Sequence, residues 1–348
     1  MRGRASGRLI LAPSLDLLAA LVAYVPFEDL GVLGRPLAWL AGSVLRIRRG
    51  HVENAMTHAR LKGPAEEAWR FYSSLGQGVM ELLWLAGGAG GVSRDLSRVA
   101  LVDPSSRSLL EQALRSRHGV VLAASHTGNW ELAACALAAR APLSVLVKPV
   151  SLGVLDAFMS RLRGRYGVGT LSGEGALALA RAELEAGRVV AVLLDQVPAR
   201  EEHGDWLPFL SRDALTDRAA AALAASQGCP LVVTASRRAD GGRHWLHVLS
   251  VKHPPLRGRS AWARQATREA TRELEAFVLL EDAAALVAVP GVVAAAAPVA
   301  AVPAAALRPS TLITCGPDGA LLCVTQWPTS SPTINASSRT DRTAKSGA

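Results

Sequence analysis

The sequence predicts an α/β fold, a largely parallel central sheet flanked by helices, with an N-terminal helical, membrane-associated segment in front of it. Short continuous apolar runs alternate with longer segments of helical period, as in Val120–Ala124 followed by the Ala/Leu-rich pattern from Trp130. Apolar runs without a polar face belong to strands covered on both sides. The runs also end on polar residues: Ser125-His126 after the first, Asp195-Gln196 after Val189–Leu194. Open α/β sheets place their ligands at such strand ends. The apolar run Leu9–Val25, behind Arg2, Arg4 and Arg8, sets the N-terminus apart from the rest.

In chain order, Pro13 and Asp16 interrupt that first run, and no small-x-small cleavage site precedes Pro26. The run is short against the roughly 20 residues of a spanning helix. A second apolar stretch, Leu30–Leu45, is broken by Gly34-Arg35-Pro36 and followed by Arg46, Arg48 and Arg49. Basic residues on both sides fit two segments dipping into one leaflet, or one anchor with a cytoplasmic N-terminus. A pair of ordinary buried helices is the alternative. Arg48–Leu85 reads as helices, with Pro64 at a first helical position. Trp69, Tyr72, Leu75, Val79, Leu82 and Leu83 keep the three- and four-residue spacing of a packed face. By pattern Asn54 and Glu81 are solvated or capping residues. Gly87–Gly91 is a flexible connection without the lysine of a phosphate loop.

Beyond the His126 turn, Leu143–Val147 reads as a strand and Val154–Tyr166 as a helix bearing Arg161, Arg163 and Arg165. Glu174–Ala186 is a helix closed by Gly187, and Val189–Leu194 a buried strand. Gly167-Val168-Gly169 has the wrong spacing for a dinucleotide motif and ends a helix. Val197–Leu207 reads as a loop. Ala219–Ser226 is helical, Leu231–Ser236 a strand, Asp240-Gly241-Gly242 a hairpin turn, His244–Val251 its return strand, and 260–278 a charged helix.

The 348 residues are half apolar, enough for a sizeable core, and carry a formal charge of +9. The last 70 residues are charge-balanced, so the excess lies in the first 278. A basic protein suits anionic headgroups, nucleic acid or an acidic carrier protein. No RNA-binding aromatic signature, zinc finger or helix-turn-helix spacing is present, which argues against nucleic acid. Cys135, Cys229, Cys315 and Cys323 form no CxxC pair, so neither a metal site nor a disulfide framework is indicated. The absence of G-x-S-x-G argues against a serine hydrolase. A non-catalytic membrane-surface scaffold would explain the charge and the apolar N-terminus. It would not call for His126, Glu131 and Asp195 near strand ends.

The turn after Val120–Ala124 carries His126, with Glu131 five positions on in the first helical turn. A carboxylate that holds one ring nitrogen makes the other a better general base. The same spacing also describes a loop histidine beside a glutamate favoured by the helix dipole. The full string Ser125-His126-Thr127-Gly128-Asn129-Trp130-Glu131 closely resembles the acyltransferase block of the lysophospholipid acyltransferase superfamily, and in particular of the lipid A lauroyl and myristoyl transferases. The resemblance covers roughly residues 45–278, about two thirds of the chain.

The resemblance implies His126 as catalytic base and Glu131 as its partner. The segment RLRGRYG is similar to the family's R-x-R-x-x-G, with Arg163 at the arginine that holds a substrate phosphate; without the resemblance it is equally a charged helix face. The family also has Asp-Gln at Asp195-Gln196, the aspartate supporting the site. Asn129 stands inside the matched string, and Asn54 and Glu81 match recurrent family positions. The expected activity is transfer of an acyl chain from a thioester, on acyl carrier protein or coenzyme A, to a hydroxyl of a membrane glycolipid such as a lipid A precursor. Phosphatidylinositol mannoside or another lysolipid is the alternative acceptor, and an inactive homologue the alternative to an enzyme. The expected location is the cytoplasmic face of the bacterial inner membrane. No cofactor or metal is implied. Oxyanion stabilisation is expected from backbone N–H groups near Gly128–Trp130 or from Arg163.

Three regions follow: an apolar membrane-associated segment, 1–45; the acyltransferase domain, 46–278; and a tail, 279–348. The tail is low in complexity, with Ala283–Leu307 almost pure Ala, Val and Pro and a Ser/Thr-rich end. The family's Trp- and Arg-rich terminal helix has no counterpart there. The tail is expected to be disordered or the product of a shifted reading frame.

Overall fold

The computed structural model describes residues 3–61, 63–88, 93–149, 152–280, 313–315 and 321–323. Four helices come first: α1 (Gly3–Val22), α2 (Leu30–Trp39), α3 (Arg49–His58) and α4 (Pro64–Ala86). Pro64 opens α4 at its first turn. The expected breaks at Pro13 and at Gly34-Arg35-Pro36 are not seen, since both prolines lie inside helices. The chain turns instead between Val22 and Phe27, where the flanking segments bend by 113°. No single helix among the described residues is long and apolar enough to cross a membrane.

Glycine governs how α2 meets α4. A Cβ on Gly34 would stand 2.5 Å from the Gln77 amide nitrogen and 2.6 Å from the Gly76 carbonyl carbon. Only a bare backbone allows that approach. Ala38 of α2, Val52 and Met56 of α3, and Ala68, Phe71 and Tyr72 of α4 close a small core of their own.

The remainder is the predicted α/β unit, with β1 (Ala100–Val102), α5 (Pro104–Leu114), β2 (Val120–Ala124), α6 (Trp130–Ala138), β3 (Leu143–Leu146), α7 (Gly153–Arg165), β4 (Val168–Leu171), α8 (Ala176–Glu185) and β5 (Val189–Leu193). There follow β6 (Gly204–Phe209), β7 (Arg212–Asp217), α9 (Ala219–Gln227), β8 (Leu231–Arg238), β9 (His244–Lys252) and α10 (Arg259–Leu280). The seven-stranded sheet has the order β1-β9-β8-β2-β5-β3-β4. Every neighbouring pair is parallel except β8 and β9, the expected hairpin.

Alternation along the strands sorts the core into two layers. Val121 and Ala123 of β2 pack with Val190, Val192 and Val233 beneath α8, α9 and α10. Val120 and Leu122 face Leu83 and Leu85 of α4, Leu132 of α6 and Phe158 and Leu162 of α7. The helical N-terminal part is therefore one wall of the sheet's second layer.

Several elements were not expected. β1 and β4 are short and lie at the two sheet edges. The end of the stretch read as a loop, Gly204–Leu207, instead opens the antiparallel hairpin β6–β7, whose two central residues, Leu210 and Ser211, both have positive φ. Of the tail, 313–315 pairs antiparallel with 321–323 as β10 (Ile313–Cys315) and β11 (Leu321–Cys323). Leu279 and Leu280 of the tail end α10, and the rest of it lies outside the described residues.

Candidate active site

β2 and β5 run parallel with Ala124 opposite Leu193. Carrying that register two residues past both strands brings His126 to Asp195. The two meet through paired contacts: the His126 backbone N–H donates to Asp195 Oδ2 and His126 Nδ1 lies against Asp195 Oδ1, each at 2.8 Å. An ionised carboxylate only accepts, so Nδ1 carries the proton and Nε2 is left with its lone pair. His126 is buried, with 8% of its surface exposed.

The partner expected for His126 was Glu131, and here the structure differs. Glu131 is buried, and its two oxygens accept from Arg163, one from Nε at 3.0 Å and one from Nη2. Glu131 reaches from the first turn of α6 to Arg163 on α7, while His126 lies just past the end of β2. Arg163 is buried too, which corrects the charged-face reading. Burial tends to lower the basicity of its guanidinium, but the charge and hydrogen bonds of Glu131 more than offset this and hold its pKa above the ordinary value. Two of its donor groups are engaged by Glu131, so the free, anion-gripping fork expected of Arg163 is largely occupied. Trp130 stands between the two pairs, edge-on to His126 with ring centroids 6.0 Å apart and 5.4 Å from the Arg163 guanidinium.

Asn129 caps α6: its side-chain oxygen accepts from Leu132 N at 3.1 Å. Its side-chain amide donates to Glu81 Oε2 at 2.9 Å, and its backbone N–H donates to His244 Nδ1 at 3.2 Å. That N–H is therefore taken and is not one of the expected oxyanion donors. Glu81, singled out above only as a recurrent family position, is the residue whose place by pattern was misread. Expected as solvated or capping, it is fully buried, with its carboxylate against Arg238 Nε and Nη2 and His244 Nε2 as well as Asn129. Burial opposes ionisation, but Arg238 and His244 prevail and hold its pKa at about 2. Asn54 is exposed, as expected. A signal for Glu81 did exist: it is the one charge in the apolar run Val79–Leu85, and a buried carboxylate requires partners.

Asp195 and Gln196 also line a small, partly open cavity of about 30 Å³, walled by Leu194, Val197, Phe209, Leu215 and Leu274. Its lining is mostly apolar, with Thr216 and Thr271 as the other polar residues. Cys135 and Cys229 are buried free thiols whose pKa values burial pushes up, which disfavours the thiolate a nucleophile needs. Gly128 lies hard against Ser236 with φ of +59°, a conformation a side chain would strain.

Residues 102–281 match the family model of the bacterial lipid A biosynthesis acyltransferases. No curated protein matches the chain. The match opens on the last residue of β1 and runs to the end of α10, so it spans more than half the chain and takes in every strand that builds the edge around His126. The chain belongs to the bacterial lipid A biosynthesis acyltransferases.

Proposed function

We propose that the protein moves a fatty acyl chain from an acyl thioester to a hydroxyl of a membrane glycolipid, a lipid A precursor, with His126 as general base. The observation that carries this reading is the two-point grip of Asp195 on His126 at the rim of an apolar cavity. With Nδ1–H bonded to the carboxylate, Nε2 takes the proton of the acceptor hydroxyl as its oxygen attacks the thioester carbonyl. The tetrahedral intermediate collapses by expelling the thiolate, and the imidazolium returns the proton to sulfur. Asp195 stabilises the imidazolium meanwhile. This gives Asp195 the role that spacing gave Glu131. Glu131 and Arg163 then form a charged wall behind Trp130, and Gln196 a polar group at the cavity mouth. The lining of the cavity suits an acyl chain, which has to widen the cleft on entry.

The N-terminal helices support a membrane-surface location. Leu17, Leu21, Tyr24, Val32, Trp39 and Leu45 are exposed, with Arg46 and Arg48 beside them. Apolar side chains beside basic ones are the mark of an interfacial segment on anionic lipid. The basic surface favours an acyl carrier protein over coenzyme A as donor. The test is mass spectrometry of lipid A from cells with the wild-type gene, with the His126→Ala gene and without the gene. Loss of one acyl chain in both altered strains is the expected result; an unchanged lipid A refutes the acceptor assignment.

A further inference from the structure

We infer that Glu81, together with Arg238 and His244, is a positioning cluster that holds the His126–Asn129 turn in its working shape. This rests on the acyl-transfer reading above. The observation is a convergence of distant parts of the chain on one carboxylate. Glu81 comes from α4, 48 positions before Asn129; Arg238 ends β8 and His244 opens β9, 157 and 163 positions after Glu81. None of the three belongs to the His126–Asp195 or Glu131–Arg163 pair.

Their hydrogen bonds have one direction of dependence. Since the Asn129 N–H donates to His244 Nδ1, that nitrogen is unprotonated, and the proton sits on Nε2, facing Glu81 Oε2 at 3.1 Å. Glu81 thus sets the tautomer of His244, and His244 sets the direction of the Asn129 amide. Glu81 also takes the Asn129 side-chain amide directly, leaving that side chain's oxygen for the cap on α6. Three groups of Asn129 are therefore fixed. The turn is pinned at one end by Asp195 on the His126 amide and at the other by this cluster. Gly128 between them has no side chain to hold it. Arg238 neutralises the carboxylate and reaches Ser74 of α4 at 2.7 Å, which ties α4 to the sheet a second time.

A carboxylate kept only for stability and one kept to position the turn differ in a measurable way. Replacing a buried ion pair by apolar residues of similar size is often neutral or stabilising, whereas removing one partner is not. The test therefore uses the full chain carrying Glu81→Leu and Arg238→Met together, beside wild type and Glu81→Gln. Thermal unfolding, steady-state transfer from lauroyl thioesters of acyl carrier protein and of coenzyme A, and amide hydrogen exchange across residues 126–133 are measured on each. The double variant removes both charges together but leaves the Asn129 amide and His244 Nε2 without their acceptor, so it is expected to remain folded and to unfold within several degrees of wild type. Its turn amides should exchange at least about tenfold faster, and kcat should fall at least about tenfold with KM within about twofold, since small misplacements of a base are costly. Recovery of kcat in a stable double variant overturns the proposal, as does unchanged exchange in the turn. Wild type that transfers from neither thioester refutes the acyl-transfer reading instead, and the exchange measurement still decides whether Glu81 holds the turn.

Discussion

Both oxygens of Asp195 are spent on His126, one on its backbone amide and one on its ring. The ring is thereby fixed in place and in tautomer by a single side chain. Asp195→Asn keeps the shape but offers an N–H toward Nδ1, which favours the wrong tautomer. Its kcat is expected to fall by about 10²–10⁴ with little change in melting temperature. His126→Ala should match that loss. Steady-state kinetics on folded protein checks both, and near-normal turnover in either variant removes that residue from the mechanism.

Arg163 and Glu131 form a buried pair, so truncating one strands the other. Arg163→Ala is expected to lower stability by roughly 3–5 kcal/mol. Arg163→Lys keeps the charge but loses the two-point fit to the carboxylate and should fall between wild type and Ala. Denaturant unfolding of the two variants gives the ranking. A stable Arg163→Ala variant with a raised KM for the donor or acceptor returns the anion-holding role to Arg163.

Glu81 makes stability depend on pH in acid. Its folded pKa of about 2 lies below its ordinary value of 4.5. The unfolded chain therefore binds the proton first as pH falls, and stability contributed by Glu81 is full above about 4.5 and lost toward 2. Denaturant unfolding between those limits should show this fall in wild type. It should be shallower in the Glu81→Leu, Arg238→Met double variant, and equal slopes in the two proteins refute the assignment.

The α2–α4 contact predicts a different lesion. Gly34→Ala forces a methyl against the backbone at Gly76 and Gln77, so the helices have to separate. A loss of about 1–3 kcal/mol is expected, measured by thermal unfolding, with faster amide exchange in α2. The Ala variant of Gly50, which has open space around it, is the control and should show neither effect.

The inner strands β2, β3, β5 and β8 were legible as short, largely apolar runs, and α8 from its helical period and the closing Gly187, whereas the short edge strands β1 and β4 offer no such run. The hairpin β6–β7 was not, for a local reason. A two-residue turn with both φ values positive normally carries Asn or Gly, and Leu210-Ser211 gives no such sign. Tertiary contacts impose the turn: Leu210 is buried, and its amide donates to Glu275 of α10 at 2.7 Å. The site divided along the same line. His126 and Asp195 were recognisable at strand ends. Which carboxylate faces the imidazole depends on the register between β2 and β5, which no spacing within a single segment encodes.

The family match begins at Val102, yet Glu81 lies 21 positions upstream of that boundary. A fragment cut at residue 102 would keep Arg238 and His244 but lose the anion they surround, and it would bare the sheet face that Leu83, Trp84 and Leu85 cover. Such a fragment should aggregate. The packed unit of this chain therefore reaches back through α4, which starts at Pro64, ahead of the residues that the family model matches.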